Sequence, residues 1–359
     1  MTSSSTPSAS HDKKPAMLLS LSVAKAVGIV LIIVAHTDQV FGFSDSFDTS
    51  LFSYHLLERL LHVIGHYGVS LFLVASGFGL TYSLCRKGAT VTLGWYLKRF
   101  MRIYLLFWVS YAFFIALFSI TKGSLGISGR EFVFTLLGIQ AFFGYWGGHV
   151  NGVYWFNTLI LSLYAVFPLL FWFLRTPRWW KMALLLAISI GAGIIIIDHD
   201  LQAFRYLFID RLFEFGSGIA LAVLYHARGK LLNTAASGWL FLAAAAAVFA
   251  AYLCFLNDAA TVALVVLSGP LLFIALFQLV RLVSEASLTA RAVILLERYA
   301  HALFLFHLPL LSLLWKNVPG PKVEFLLVYA TAIAVVSIAG HHLSGWIIEK
   351  AFRSVKRPS

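Results

Sequence analysis

Charged residues are scarce in this chain. Asp, Glu, Lys and Arg make up only 12% of its 359 residues, whereas hydrophobic residues make up 60%. Soluble proteins contain about 25% charged residues, so this shortage excludes a soluble domain of any size. The composition instead predicts an all-α fold, namely a polytopic bundle of membrane-spanning helices.

Cysteines are also rare, and the motifs of several common functions are missing. The two cysteines, Cys85 and Cys254, are predicted near opposite membrane faces, so we expect no disulfide between them. Neither a metal-ligand spacing nor a glycine-rich phosphate loop is present, and we expect no metal. The net charge is +12, but the basic residues are spread between apolar segments and form no groove for nucleic acid.

Long apolar segments account for most of the chain. About 20 apolar residues are needed to cross a bilayer, and the sequence predicts ten such spans, at 17–38, 67–85, 101–120, 153–174, 182–198, 209–226, 238–256, 260–281, 297–315 and 324–346. A shorter glycine-containing segment at 131–146 is predicted to be interfacial or re-entrant. The predicted organisation is a disordered cytoplasmic tail at 1–16, a transmembrane domain at 17–348 and a basic cytoplasmic tail at 349–359.

The distribution of basic residues predicts the orientation. Ten spans place both termini on the same side of the membrane. Of the 27 Lys and Arg residues, 19 fall in the tails and the loops on that side, 7 fall in the opposite loops, and Lys25 falls within a span. Cytoplasmic loops carry the excess of Lys and Arg in membrane proteins, so both termini are predicted to be cytoplasmic.

The first span contains two ionisable residues, Lys25 and His36. At 100° and 1.5 Å per helical residue, the two share one face, about 20° apart around the axis and about 16 Å apart along it. Ionisable groups inside a membrane usually mark a functional pathway. His36, with Asp38 just beyond it, is therefore a candidate general base. The alternative is a structural histidine that is hydrogen-bonded to a neighbouring helix.

Polar residues in later spans are further candidates. Arg99 and Arg102 are three residues apart at the cytoplasmic boundary, where they can clamp a phosphate or merely anchor the helix. Trp155 fits an interfacial aromatic belt, and Tyr164 can supply a hydrogen bond within the bundle. His307 lies at membrane depth, two residues before Pro309.

Six segments, taken in order, resemble the integral-membrane acyltransferase 3 family. They are SVAKAVGIVLIIVAH, GVSLFLVASGF, RFMRIY, YWFNTLILSLYAVFPLL, RLFEFGSGIAL and ALFLFHLPLL. The resemblance covers roughly residues 18 to 345. The chain departs from the family pattern at Lys25, where many members have Arg, and at Ser22, where many have Asp. We expect no appended esterase-like domain.

The resemblance implies an enzyme of the bacterial inner membrane. The family transfers an acyl group, usually acetyl from cytosolic acetyl-CoA, to a sugar hydroxyl of an extracytoplasmic or lipid-linked glycan. It implies that Arg99 and Arg102 bind the donor phosphates and that His36, with Lys25 and Asp38, carries the chemistry.

Trp155, Tyr164 and His307 are then expected to contact substrate. A transporter or exporter that uses the Lys and His residues as a pathway is the competing interpretation. A structural subunit without activity is a third.

Overall fold

All secondary structure in the described part of the chain is helical, as the composition predicts. The computed structural model describes residues 13–41, 54–88, 90–123, 126–145, 150–199, 207–229, 231, 236–254, 258–282, 287–317 and 322–355. The predicted disordered tail at 1–16 is wrong for residues 13–16, which belong to the first helix; residues 1–12 lie outside the described residues, so their disorder stays a prediction.

The described residues form eleven α-helices in the predicted order. They are α1 (Lys13–Phe41), α2 (Tyr54–Lys87), α3 (Leu93–Lys122), α4 (Gly129–Leu136), α5 (Trp155–Leu174), α6 (Trp179–Asp198), α7 (Leu212–Arg228), α8 (Ala236–Cys254), α9 (Asp258–Leu279), α10 (Leu288–Asn317) and α11 (Lys322–Val355). Each of the ten predicted spans coincides with one of the longer helices. The predicted short segment contains α4 and a 3₁₀ turn at Gln140–Phe143.

Eight of the described helices, namely α1, α2, α3, α5, α6, α9, α10 and α11, are long and apolar enough to cross a membrane. The chain is therefore a multi-pass integral membrane protein. The remaining two predicted spans are shorter: α7 has 17 residues, and the apolar part of α8 is Ala236–Ala251. The orientation of the bundle relative to the cytoplasm stays a prediction.

Contacts between α1 and α10 show that these two helices run in the same direction. Lys25 lies 2.7 Å from Glu297, and His36 lies 3.0 Å from His307. The sequence separation is nearly the same for both pairs, 272 and 271 positions. Parallel packing agrees with the ten-span scheme, in which the first and ninth spans cross the membrane in the same direction.

Contacts between α3 and α5 show the opposite relation. Trp95 near the start of α3 stacks on Phe167 late in α5, with ring centroids 5.5 Å apart. Phe107, further along α3, contacts Tyr154 just before α5, with centroids 4.9 Å apart. These helices are antiparallel, as expected for the third and fourth spans.

Glycines allow close packing of α1, α2 and α7. A Cβ on Gly68 would overlap the backbone of Gly28, and one on Gly77 would overlap the carbonyl of Phe215. Small residues permit such backbone approach in membrane bundles. Gly79 is different, because a Cβ there would meet nothing within 4 Å; it lines a cavity described below.

The segment around α4 packs back against α3. The Tyr104 hydroxyl donates to the Leu137 carbonyl at 2.5 Å, and the Trp108 indole N–H donates to the Leu136 carbonyl at 2.8 Å. Tyr104 precedes the end of α3 at Lys122 by 18 residues, or about 27 Å of helix. The chain therefore descends well into the bundle after α3. The two donors satisfy carbonyls at the end of α4, as a non-polar surrounding requires.

The faces of α4 are reversed relative to a helix in water. Glu131 and Thr135 are buried, each 2% exposed, whereas Phe132 and Val133 are 40% and 48% exposed. Apolar side chains that point away from the protein are compatible with a lipid environment. Whether this segment is interfacial or re-entrant relative to the membrane stays a prediction.

Candidate active site

A cavity of about 650 Å³ lies among six helices: α1, α2, α3, α5, α10 and α11. Cationic side chains line one part of it, namely Lys25, Arg99, Arg102 and Arg298. They lie in the first halves of α1, α3 and α10, which all begin on the predicted cytoplasmic side. Because Glu297 is the only carboxylate among the lining residues, the cavity is suited to an anionic ligand.

Lys25 forms an ion pair across the α1–α10 contact. Its Nζ lies 2.7 Å from Oε1 of Glu297, and the two side chains are 31% and 27% exposed. Glu297 is not predicted from the sequence as a site residue, because hydropathy places it at the start of the ninth span. In the structure α10 begins at Leu288, so Glu297 lies well inside the helix and can face Lys25.

Arg99 is held in place by its neighbours on the cavity wall. Its guanidinium lies 4.3 Å from the ring centroid of Trp95, and its Nη2 is 3.4 Å from the Ser83 hydroxyl. Arg102 lines the same cavity and is exposed. The predicted shared face is confirmed, since both side chains border one cavity. Guanidinium groups in this arrangement can bind phosphate oxygens.

His36 and His307 form a hydrogen-bonded pair toward the other end of the bundle. Nδ1 of His36 lies 3.0 Å from Nε2 of His307 and also 3.0 Å from the Ile32 carbonyl. Nδ1 of His307 lies 2.8 Å from the Phe304 carbonyl. The prediction that Lys25 and His36 share a helix face is confirmed, because both contact α10.

These distances determine which nitrogens carry protons in the neutral pair. The Phe304 carbonyl can only accept, so Nδ1 of His307 donates to it and Nε2 of His307 carries the lone pair. That nitrogen and the Ile32 carbonyl are then both acceptors, so Nδ1 of His36 is the donor. The lone pair of His36 therefore lies on Nε2. A general base needs such a nitrogen.

His307 is buried, with 0% exposure. Both of its ring nitrogens are within hydrogen-bond distance of protein atoms. His307 is therefore placed to hold the ring of His36 in one orientation. Sequence periodicity could not reveal this pairing, because the two residues are 271 positions apart.

The other predicted site residues lie in different places. Tyr164 lines the cavity. Trp155 lies outside it at the start of α5, with its ring edge-on to Phe156 at 6.0 Å. Asp38 is buried, 6% exposed, two residues beyond His36. Within the described residues, no group of three or more His, Cys, Asp or Glu side chains could hold a metal ion.

Comparison with curated proteins and with solved structures finds no significant match. A family model described as an acyltransferase domain, Acyl_transf_3, matches residues 18–341. The match spans most of the chain and includes both the cationic residues of the cavity and the histidine pair. The chain therefore belongs to the acyltransferase 3 family of membrane proteins.

Proposed function

We propose that this protein is an O-acyltransferase that moves a short acyl group from cytosolic acyl-CoA to a sugar hydroxyl of an extracytoplasmic or lipid-linked glycan. The observation that carries the proposal is the arrangement of two sites along the same two parallel helices. A cationic cavity borders the first halves of α1 and α10, and the hydrogen-bonded pair of His36 and His307 lies further along both.

The cavity supports an acyl-CoA donor because such a molecule carries its negative charge at one end. Arg99 and Arg102 would contact its phosphate oxygens, and the Trp95 ring below Arg99 would preserve the orientation of that guanidinium. Lys25 would add a cation, although Glu297 compensates its charge in the unliganded protein. Tyr164 would contact the donor from the α5 side of the cavity.

The histidine pair supports general base catalysis. Nε2 of His36 would take the proton of the sugar hydroxyl while that oxygen attacks the thioester carbonyl. The tetrahedral intermediate would then collapse with cleavage of the C–S bond. The departing thiolate would take this proton from His36 and leave as the CoA thiol. The acyl group would remain on the sugar as an ester. Asp38 and Trp155 lie near the outer ends of their helices, where a glycan acceptor would approach.

Membership of an acyltransferase family weighs against the transporter interpretation. We further propose a location in the bacterial inner membrane, with both termini in the cytoplasm.

Donor binding and transfer can be tested separately with the purified protein in lipid nanodiscs. We expect CoA to bind wild-type protein and to bind weakly after Arg99→Ala or Arg102→Ala, with partial recovery in the Lys variants because Lys loses the bidentate geometry. Arg178→Ala, at a basic residue outside the cavity, serves as the matched control.

Transfer should be measured as CoA release from acetyl-CoA, with and without membrane glycans extracted from the native host. Full CoA affinity in both Ala variants would refute the phosphate clamp. Absence of glycan-dependent CoA release from any acyl-CoA would refute the proposed reaction.

A further inference from the structure

The cationic cavity ends one helical turn before the histidine pair. On α10 its lining residues run from Glu297 to Phe304, whereas His307 is not among them. On α5 they run from Tyr164 to Phe156, and on α2 from Leu80 to Phe72. All three helices thus end their share of the lining at a phenylalanine. These three rings form the aromatic end of the cavity.

The rings of the aromatic end are in contact with one another and with His307. The centroids of Phe72 and Phe156 are 6.3 Å apart, and those of Phe156 and Phe304 are 4.8 Å apart. Phe304 is in turn 5.9 Å from the ring of His307. These separations lie in the range of direct aromatic contact. The aromatic end therefore borders the histidine pair through Phe304.

The burial of the three rings differs. Phe156 and Phe304 are 6% and 3% exposed, whereas Phe72 is half-buried. Phe72 also packs against Gly28, where an added Cβ would come within 3.2 Å of its ring. Two of the three rings are thus almost fully enclosed, and Phe72 is the most exposed of the three.

The acyl group of a bound donor has to reach this end. The phosphates would bind at the cationic part, so the thioester lies at the opposite end of the extended molecule. The sugar oxygen and the thioester carbonyl carbon must approach to about 3–3.5 Å before they react. Because His36 has to contact the same sugar hydroxyl, the thioester carbonyl lies beside the rings and next to the histidine pair. Each further methylene of the acyl chain would then press on closely packed rings.

We propose that Phe72, Phe156 and Phe304 determine the acyl-chain length, so that acetyl-CoA is selected over longer acyl-CoA donors. The inference rests on the proposed function and specifies its donor. One methylene at such an apolar wall changes the specificity ratio by about 10- to 200-fold. We therefore expect butyryl-CoA to be used at least a hundredfold less efficiently than acetyl-CoA.

Phe72→Ala tests the proposal, because this half-buried ring is the one whose removal is best tolerated. The measurement is kcat/KM from CoA release with acetyl-, propionyl-, butyryl- and hexanoyl-CoA. We expect the acetyl-to-butyryl ratio to fall at least tenfold, mainly because butyryl transfer rises. Phe113→Ala is the matched control: its partly buried ring packs on Phe306 outside the cavity, and its loss should leave the ratio unchanged.

A larger side chain at position 72, which narrows the aromatic end of the cavity, provides the complementary test. Phe72→Trp should lower propionyl use relative to acetyl use while the affinity for CoA itself stays within twofold. If Phe72→Ala is unstable, Phe72→Leu should shift the ratio in the same direction.

An unchanged ratio in folded Phe72 variants that still transfer acetyl would refute the length determinant and leave the proposed function intact. Wild-type preference for hexanoyl-CoA would also refute it. Wild-type protein that uses no acyl-CoA would instead refute the proposed function.

Discussion

Replacement of His36 or His307 by glutamine separates the two roles within the histidine pair. A general base typically contributes about 10²- to 10⁴-fold to the rate, which corresponds to about 3 to 5 kcal/mol. Glutamine at position 36 can form hydrogen bonds but cannot take up a proton near neutral pH. We therefore expect His36→Gln to lose at least a hundredfold in kcat while it folds normally and still binds CoA.

The same replacement at position 307 should have a much smaller effect. The amide oxygen of His307→Gln can accept the hydrogen bond from Nδ1 of His36. Even without it, that donor retains the Ile32 carbonyl at 3.0 Å, so the lone pair stays on Nε2 of His36. At most one net hydrogen bond is lost, about 0.5 to 1.5 kcal/mol, which predicts a decrease of about 2- to 13-fold.

The assay is CoA release at saturating acetyl-CoA, with melting temperature and CoA affinity measured on each variant. His307→Leu is a further control, since it removes the acceptor and keeps the Ile32 contact. A severe loss in His307→Gln together with near-normal transfer by His36→Gln would reverse the assignment, and His307 would then be the base. Near-normal activity in both variants would refute base catalysis by either residue.

Three further predictions concern packing, charge and orientation. Gly77→Ala should lower the melting temperature in detergent, because overpacking costs about 1–3 kcal/mol, whereas Gly191→Ala, with nothing within 4 Å of an added Cβ, should not. Lys25→Met should lower the melting temperature because it leaves the charge of Glu297 uncompensated, and adding Glu297→Gln should restore part of the loss. Additive decreases in melting temperature from the two changes would contradict the ion pair. In a variant without native cysteines, an impermeant thiol reagent should label a cysteine at position 46 in intact cells, and labelling in the C-terminal tail instead would reverse the orientation.

The helices were predicted well from the sequence, because each of them corresponds to one long continuous stretch of apolar residues. It also predicted that Lys25 and His36 face the same way, since helical geometry alone fixes that angle. Their partners were not predictable by the same means. Glu297 and His307 reach α1 only through the packing of α10, and local hydropathy had assigned Glu297 to a span boundary.

The aromatic end of the cavity was missed for a related reason. Phe72, Phe156 and Phe304 belong to three helices, and each is an ordinary apolar residue within its own span. With 32 phenylalanines in the chain, composition gives no signal for these three. Only their common position at the end of the cavity distinguishes them.

The pairing of α1 with α10 has a consequence for the synthesis of the protein. Lys25 precedes Glu297 by 272 positions, and chains grow at about 5–20 residues per second. The lysine therefore waits about 14 to 54 s for its carboxylate. During that interval the flexible side chain of Lys25 can place its ammonium group at the aqueous interface. The Lys25–Glu297 ion pair is therefore a late contact, which forms only after most of the chain has been made.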